Sequence, residues 1–183
     1  MNEDILIAGF GGQGVLSMGK ILAYAGMMQG KEVCWMPSYG PEMRGGTANV
    51  TVIVGDNKIN SPILQEFDTV IILNQQSLNK FEQSVKPGGK LFYDSNGLTT
   101  LPTRKDINIY HIPATKTSVE LGNTKVFNIM VLGGLLKIVP IIDIQFIEKG
   151  LYKSLPERSH KLIPLNLEAF KQGASIVEVI QEL

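Results

Sequence analysis

The chain has 183 residues, of which 44% are hydrophobic and 19% charged, and this composition excludes a disordered protein. Its 17 basic and 17 acidic residues give zero net charge, so we expect no nucleic-acid partner. Cys34 is the only cysteine and there are two histidines, which excludes an internal disulfide and a thiolate-bound zinc or iron–sulfur site, and we expect no metal on this chain.

The length predicts one domain over residues 1–183. No signal-peptide pattern opens the sequence. The longest apolar run, Val126 to Val139, is shorter than the roughly 20 residues that span a bilayer, so it predicts a core helix. We therefore expect a cytoplasmic protein with no membrane contact.

The first 36 residues predict two strands and a helix. Ile5 to Ala8 is a short apolar run typical of a buried strand, and Glu32 to Met36 is a second strand. Between them, Gly14 to Gly30 predicts a helix, because apolar residues recur at helical spacing: Val15, Met18, Leu22 and Ala25. These pieces predict a β-α-β unit whose two strands pair in parallel.

A loop and a hairpin follow. Residues 37–46 contain two prolines and three glycines, a composition that predicts a long loop, and long loops in compact domains are often functional. Thr47 to Val54 alternates as a strand does, and Lys58 to Asn60 is expected to fold back on it across a turn. This hairpin would make the sheet mixed.

The rest of the chain alternates strands with helices. Predicted strands are Thr69–Leu73, Lys90–Asp94 and Asn108–Ile112. Predicted helices are Gln75–Val85, closed by Pro87-Gly88-Gly89, then Ala114–Leu121 and Lys125–Val139. From Asp143 to Leu183 we expect mostly helix, with breaks at Pro156 and Pro164. The pattern predicts a three-layer α/β/α domain with a mostly parallel, Rossmann-like sheet and one antiparallel hairpin.

The segment between the first strand and the first helix fits G-x-G-x-x-G, the dinucleotide-binding pattern. The second strand, however, does not end in the acid that binds a ribose, since Glu32 stands at its start. Val15 follows Gly14, so the segment is not a P-loop either. Four interpretations remain open: a tight structural turn, an anion site for a diphosphate or phosphoadenosine group, a contact with another subunit, or a complete NAD site, which the absence of that acid disfavours.

No catalytic group of residues is evident. We expect His111 to be a packed or capping residue, His160 to be exposed, Cys34 to be inert in the core and Asn128 to be a satisfied core amide. An apolar stripe on the last predicted helix is expected to be core: Ile176, Val179 and Ile180.

The glycine segment is followed by a second distinctive one, Ser38-Tyr39-Gly40-Pro41-Glu42-Met43-Arg44-Gly45-Gly46. Farther along come Ser61-Pro62, Glu120-Leu121-Gly122-Asn123, Asn128 and Leu132-Gly133. This order, over essentially the whole chain, resembles the gamma subunit of the 2-oxoacid:ferredoxin oxidoreductases, a family that acts on pyruvate, 2-oxoglutarate, branched-chain 2-oxoacids and indolepyruvate.

The resemblance implies an enzyme that decarboxylates a 2-oxoacid oxidatively to an acyl-CoA, with ferredoxin as electron acceptor. Thiamine diphosphate, Mg²⁺ and [4Fe–4S] clusters would lie in the alpha-, beta- and delta-type partner subunits. The gamma chain would carry no catalytic residue and no tightly bound cofactor. We therefore expect the isolated chain to be inactive and, having lost its partners, to self-associate.

The roles that the resemblance leaves for this chain are structural support, assembly of the complex and a contribution to coenzyme A binding. The candidate coenzyme A residues are Gly9, Gly11, Gly12, Gln13, Gly14, Tyr39 and Arg44. Arg44 could instead form a salt bridge with Glu42 or a partner chain, and Tyr39 could pack beneath the loop. Two alternatives remain. One is a purely non-catalytic scaffold. The other is a free-standing nucleotide-binding oxidoreductase, which is disfavoured because no acidic residue ends the second strand to bind a ribose.

Overall fold

The computed structural model describes residues 2–39 and 47–183, which form a seven-stranded sheet in the order β2-β3-β1-β4-β5-β6-β7. The strands are β1 (Asn2–Phe10), β2 (Glu32–Tyr39), β3 (Thr47–Gly55), β4 (Phe67–Ile72), β5 (Val85–Tyr93), β6 (Asn108–His111) and β7 (Glu178–Gln181). The α-helices are α1 (Val15–Met28), α2 (Gln75–Phe81), α3 (Ala114–Glu120), α4 (Phe127–Ile138), α5 (Ile144–Ser154) and α6 (Ile163–Ile176). Short 3₁₀ helices cover Glu82–Ser84, Thr124–Val126 and Glu157–Leu162.

The predicted mixed, mostly parallel α/β fold is confirmed. Neighbouring strands pair in parallel from β1 through β4 and β5 to β6, whereas β3 and β7 run the opposite way. From β1 the chain builds the sheet first to one side, through β2 and β3, and then to the other. The strand order therefore reverses between β1 and β4, and such a switch point leaves a crevice at the carboxyl ends of the two strands.

Two predictions about strand pairing are wrong. β1 and β2 point the same way but are not adjacent, because β3 lies between them. Residues Lys58 to Asn60 form no strand. The reason is the length of β3, whose nine residues pair with β1 from Asn2↔Gly55 to Phe10↔Thr47 and with β2 on the other side. Both hydrogen-bonding edges of β3 are used, so no edge remains for a hairpin partner.

Two predictions about helix ends are also wrong. The helix predicted to reach Val85 ends as α2 at Phe81, and Pro87-Gly88-Gly89 lies inside β5, where the pairing with β4 shifts register. Near the end of the chain, Pro164 lies in the first turn of α6, where a missing N–H costs nothing. The last predicted helix instead ends at Ile176 and is followed by strand β7.

The sheet separates two apolar layers, as the period of a strand requires. Ile5 and Ile7 of β1 face the layer beneath α1, α4, α5 and α6, while Leu6 faces the layer that α2 covers. All three side chains are at most 2% exposed. Each such burial stabilises the fold by about 1.5–3 kcal/mol, so both faces of the central strand hold the layers together.

Helices α4 and α6 touch through their backbones. A β-carbon at Gly133 of α4 would overlap the carbonyl oxygen of Phe170, and one at Gly173 of α6 would overlap that of Met130. The two glycines let the axes approach closely and fix α4, whose first turn borders the glycine segment. Within the described part of the chain, no helix is both long and apolar enough to cross a membrane.

Candidate functional site

The glycine segment lies at the switch point, between the end of β1 and the start of α1. It borders a cavity of about 220 Å³. The other wall is the chain leading into α4. The lining residues are Gly12, Gln13, Gly14, Thr124, Lys125, Phe127 and Asn128. The predicted ligand segment thus faces a cavity at the position where α/β sheets bind ligands.

Gln13 anchors the glycine segment from within. Its Oε1 accepts a hydrogen bond from the backbone N–H of Phe10 at 2.6 Å, and its Nε2 donates to the carbonyl oxygen of Leu73 at 3.1 Å. Leu73 directly follows β4, so the amide joins the two strands that flank the switch point. Because both ends of the amide are engaged inside the protein, the side chain of Gln13 shapes the cavity.

The glycines have different physical roles. Gly12 and Gly14 adopt φ of 97° and 77°, in the left-handed region that glycine favours. A β-carbon on Gly12 would meet nothing within 4 Å, whereas one on Gly14 would lie 2.8–2.9 Å from the side chain of Asn128. Gly9 packs against Gln13, and Gly11 is exposed at the tip. Gly14 is therefore a packing position and Gly12 an open one.

The cavity has the electrostatics of an anion site. No side chain caps the N-terminus of α1, and its first turn contains no acidic residue. The backbone N–H groups there carry the positive end of the helix dipole. Lys125 lines the same cavity, and within residues 2–39 and 47–183 it forms no ion pair. A phosphate-type anion would therefore find partial and full positive charge together.

A second cavity, of about 550 Å³, adjoins the first and shares Lys125 and Asn128 with it. Its wall is mixed, with polar residues and an apolar part contributed by α1, α4, α5, α6 and the adjacent 3₁₀ helices: Ile21, Val126, Ile129, Leu151, Leu155, Leu162 and Leu165. The two spaces together suit a ligand with an anionic part and a long, less polar arm.

Lys125, Thr124 and Phe127 were not predicted from the sequence. The sequence feature that could have indicated Lys125 is a basic residue soon after the Gly122-Asn123 turn. The side chain of Asn123 caps the 3₁₀ helix that begins there by accepting a hydrogen bond from the N–H of Lys125 at 3.2 Å.

The second motif reaches the same edge of the sheet. The backbone of Tyr39 ends β2 opposite Ala48, and Ala48 in turn pairs with Gly9 of β1. Two strand spacings, roughly 10 Å, therefore separate the starts of the two motifs. The side chain of Tyr39 and the whole of Arg44 lie outside the described residues.

Several single-residue predictions need correction. Asn128 is half-buried and lines both cavities, and within the described ranges its side chain makes no hydrogen bond, so it is not a satisfied core amide. Cys34 is half-buried on the edge strand β2, not in the core. His160 is half-buried, with Nε2 3.0 Å from the carbonyl oxygen of Leu155. Val179 and Ile180 are more than half exposed because they lie on β7.

His111 is packed, as expected, but in an unexpected setting. Its ring stacks on Tyr93 at 4.9 Å and lies between Ser95 and Glu178. Burial and the nearby Glu178 carboxylate raise the pKa of Tyr93 above its usual value. In the described part of the chain, no three His, Cys, Asp or Glu side chains are grouped so as to hold a metal ion.

The fold and site together define an α/β protein with a cavity at the switch point, bordered by Lys125 and by the uncapped start of α1. Comparison with known proteins gives the family. Residues 4–176 match the family model of pyruvate ferredoxin/flavodoxin oxidoreductase, and the chain belongs to this family as a gamma-type subunit. It is 34% identical to the 2-oxoglutarate synthase subunit KorC of Methanocaldococcus jannaschii, over all of this chain and 96% of that protein.

Other relatives include a longer protein and a solved structure of similar length. The ketoisovalerate oxidoreductase subunit VorA of Methanothermobacter marburgensis is 32% identical over 93% of this chain, which spans only 35% of that subunit. Among solved structures, the gamma subunit of a keto/oxoacid ferredoxin oxidoreductase from Geobacter sulfurreducens PCA matches with a TM-score of 0.81 and 26% identity, over 97% of this chain and 99% of that one.

A fourth match is the 2-oxoglutarate:ferredoxin oxidoreductase of Magnetococcus marinus, solved with 2-oxoglutarate, coenzyme A and succinyl-CoA bound. It has a TM-score of 0.86 and 26% identity, and the match covers 96% of this chain and 31% of that one. The gamma-type fold therefore occurs both as a separate chain and as part of a longer one.

Proposed function

We propose that this chain is the gamma subunit of a thiamine diphosphate- and iron–sulfur-dependent enzyme that converts a 2-oxoacid to an acyl-CoA with ferredoxin as acceptor. Alpha-, beta- and delta-type subunits would supply the chemistry. A [4Fe–4S] cluster takes four thiolates, and the full sequence has one cysteine, so the clusters belong to the partners. The role left for this chain is to complete the complex and to contribute to the coenzyme A site.

The observation that carries the coenzyme A proposal is a pair of cavities at the switch point that share Lys125 and Asn128 in their walls. The uncapped start of α1 and Lys125 suit the diphosphate, and the apolar part of the adjoining cavity suits the pantetheine arm. Coenzyme A bound to the Magnetococcus marinus relative supports the same ligand class. Gly9, Gly11, Gly12, Gln13 and Gly14 would shape the site, and Tyr39 and Arg44 would approach from the neighbouring motif.

One observation favours the second candidate, a purely structural scaffold. The amide of Gln13 is fully used inside the protein, and Gly9 and Gly14 are packed against side chains. A tight turn that only joins α1 to the sheet and docks a partner subunit would show the same contacts. The two candidates differ in whether Gly12 and Lys125 meet a ligand.

The deciding experiment is steady-state kinetics on the reconstituted complex with Gly12→Ala, Lys125→Ala and Arg44→Ala. If the cavity holds coenzyme A, each variant raises the apparent KM for coenzyme A, by about tenfold where one charge-assisted contact is lost, and leaves the 2-oxoacid KM unchanged. Lys137→Ala is the matched control, since Lys137 is exposed at the far end of α4.

An unchanged coenzyme A KM in all three variants, with the complex intact by size-exclusion chromatography, would leave the scaffold as the function of this chain. The isolated chain is tested in parallel with 2-oxoacids, thiamine diphosphate, Mg²⁺, coenzyme A and a viologen dye. We expect no turnover until the partner subunits are added, and turnover by this chain alone would contradict the subunit proposal.

A further inference from the structure

Three polar side chains meet at the carboxyl edge of β5 and β6, away from the glycine segment. Ser95 follows β5, His111 ends β6 and Glu178 begins β7. The Nε2 atom of His111 lies 3.0 Å from the Oγ of Ser95, and its Nδ1 lies 2.9 Å from Oε2 of Glu178. A hydroxyl, an imidazole and a carboxylate are thus hydrogen-bonded in series.

The carboxylate sets the direction of these hydrogen bonds. An ionised Glu178 can only accept, so Nδ1 of the neutral imidazole carries the proton and donates it. The lone pair on Nε2 then faces Ser95, whose hydroxyl donates to it. This is the arrangement that a general base needs in order to take the proton of a nucleophile.

The ring is held while the hydroxyl stays accessible. Tyr93 supports the imidazole by stacking at 4.9 Å, and only 16% of the His111 side chain is exposed. Ser95 is exposed and lines a cavity of about 740 Å³. A substrate could therefore reach the serine without displacing the base.

We propose that Ser95 is a nucleophile for small, uncharged acyl esters, with His111 as general base and Glu178 as the positioning residue. The Oγ atom attacks the ester carbonyl carbon while its proton passes to Nε2 of His111. The bond from carbon to the alcohol oxygen breaks, and the alcohol leaves with that proton. Water then attacks the acyl-serine, His111 takes its proton and returns it to Oγ, and a carboxylic acid is released.

The charges around the cavity decide the ester class. Asp94, Glu120 and Glu178 face it with Lys116 as the counter-charge. The N–H groups of Asn96 and Thr115 are already bonded to Asp94, at 2.9 and 2.7 Å. Lys116 lines the cavity and makes no ion pair in the described part of the chain, so its ammonium group is available to donate to the developing oxyanion. Three carboxylates against one ammonium favour uncharged over anionic esters.

The test uses the purified full chain, a fluorophosphonate probe with peptide mass spectrometry, and the hydrolysis of p-nitrophenyl acetate. We expect the probe on Ser95, and both the label and the hydrolysis to be lost in Ser95→Ala. Ser61→Ala is the matched control, an exposed serine that lies in a loop between β3 and β4 and makes no hydrogen bond to a histidine in the described ranges. Because Ser95 is exposed, its removal leaves the melting temperature unchanged.

Glu178→Gln tests the positioning role. It should lower kcat by about 10²-fold or more and leave KM unchanged, whereas loss of a merely structural contact would move the melting temperature and not kcat. The anionic ester p-nitrophenyl succinate should react more slowly than the acetate. Absence of label on Ser95, or equal hydrolysis by wild type and Ser95→Ala, would overturn the proposal. The three side chains would then form only a structural hydrogen-bonded contact between β6 and β7.

Discussion

The glycine segment and the Ser95 cavity lie on the same edge of one sheet but are built in different ways. The first is made of backbone and of side chains that are used internally, as with Gln13 bridging Phe10 and Leu73. The second is made of accessible polar side chains, with Ser95 and Glu178 exposed. Substitutions should therefore damage the fold at the first region and chemistry at the second.

The largest effect is expected for Gly14→Ala. The left-handed φ of 77° and the overlap with Asn128 act together, so we expect a loss of about 2–3 kcal/mol in the free energy of unfolding. Urea unfolding followed by circular dichroism measures it. The double variant Gly14→Ala/Asn128→Ala should recover the part due to overlap, and Gly12→Ala, with strain alone, should lose only about 1 kcal/mol. Equal losses at Gly12 and Gly14 would contradict this packing role.

Next comes Gln13→Ala. Two hydrogen bonds disappear and the N–H of Phe10 loses its partner, so the expected loss is about 1–2 kcal/mol. Gln13→Glu is the control, because it keeps an acceptor for Phe10 but places a carboxylate against the carbonyl of Leu73. If the amide of Gln13 stabilises the contact between the strands, both variants should have a lower free energy of unfolding in urea than the wild type. A Gln13→Ala variant as stable as wild type would show that the bridge does not hold the turn.

The Ser95 cavity should respond much less. Ser95→Ala should change stability by less than about 0.5 kcal/mol, and Glu178→Gln by less than about 1 kcal/mol, because the His111–Glu178 contact has an exposed carboxylate. The same urea experiment measures both. A loss of 2 kcal/mol or more in either variant would mean that this cavity is as much a part of the fold as the glycine segment.

The smallest effect concerns alkaline pH. Burial, with Glu178 adding to it, raises the pKa of Tyr93, and burial with Glu182 raises that of Tyr110. An acid whose pKa is higher in the folded state adds stability below its unfolded pKa, near 10.0, and this stability is lost as the pH rises through the folded value. The chain should therefore lose stability above about pH 10.

NMR of ring-labelled tyrosines, assigned with Tyr93→Phe and Tyr110→Phe variants, separates the two phenols from the other tyrosines. Glu178→Gln should lower the titration midpoint of Tyr93 and leave that of Tyr110 where it was, since Glu182 is unchanged. A shift of both midpoints, or of neither, would count against an electrostatic link between Glu178 and Tyr93.

The two regions also differ in how far the sequence predicts them. The glycine segment was predicted because its residues are consecutive and lie between a strand and a helix. Ser95, His111 and Glu178 are not neighbours in the sequence. They meet because β7 pairs with β6, and the sequence pattern predicts helix, not strand, for the residues of β7. Likewise, the helical periodicity predicts the helix layers, but the position of β3 depends on its pairing with β1 on one edge and β2 on the other, which no local pattern encodes.

The central place of β1 has a consequence for synthesis. Strand β1 pairs with β3 on one side and with β4 on the other, so its pairing is complete only when residue 72 has been made. Until then at least one hydrogen-bonding edge of this apolar strand stays open, a state prone to aggregation. For the same reason, we expect deletions at the two ends of the described chain to differ in their effect on the sheet. Removing residues 2–10 takes a strand from the middle of the sheet, whereas removing residues 178–183 uncovers only the outer edge of β6.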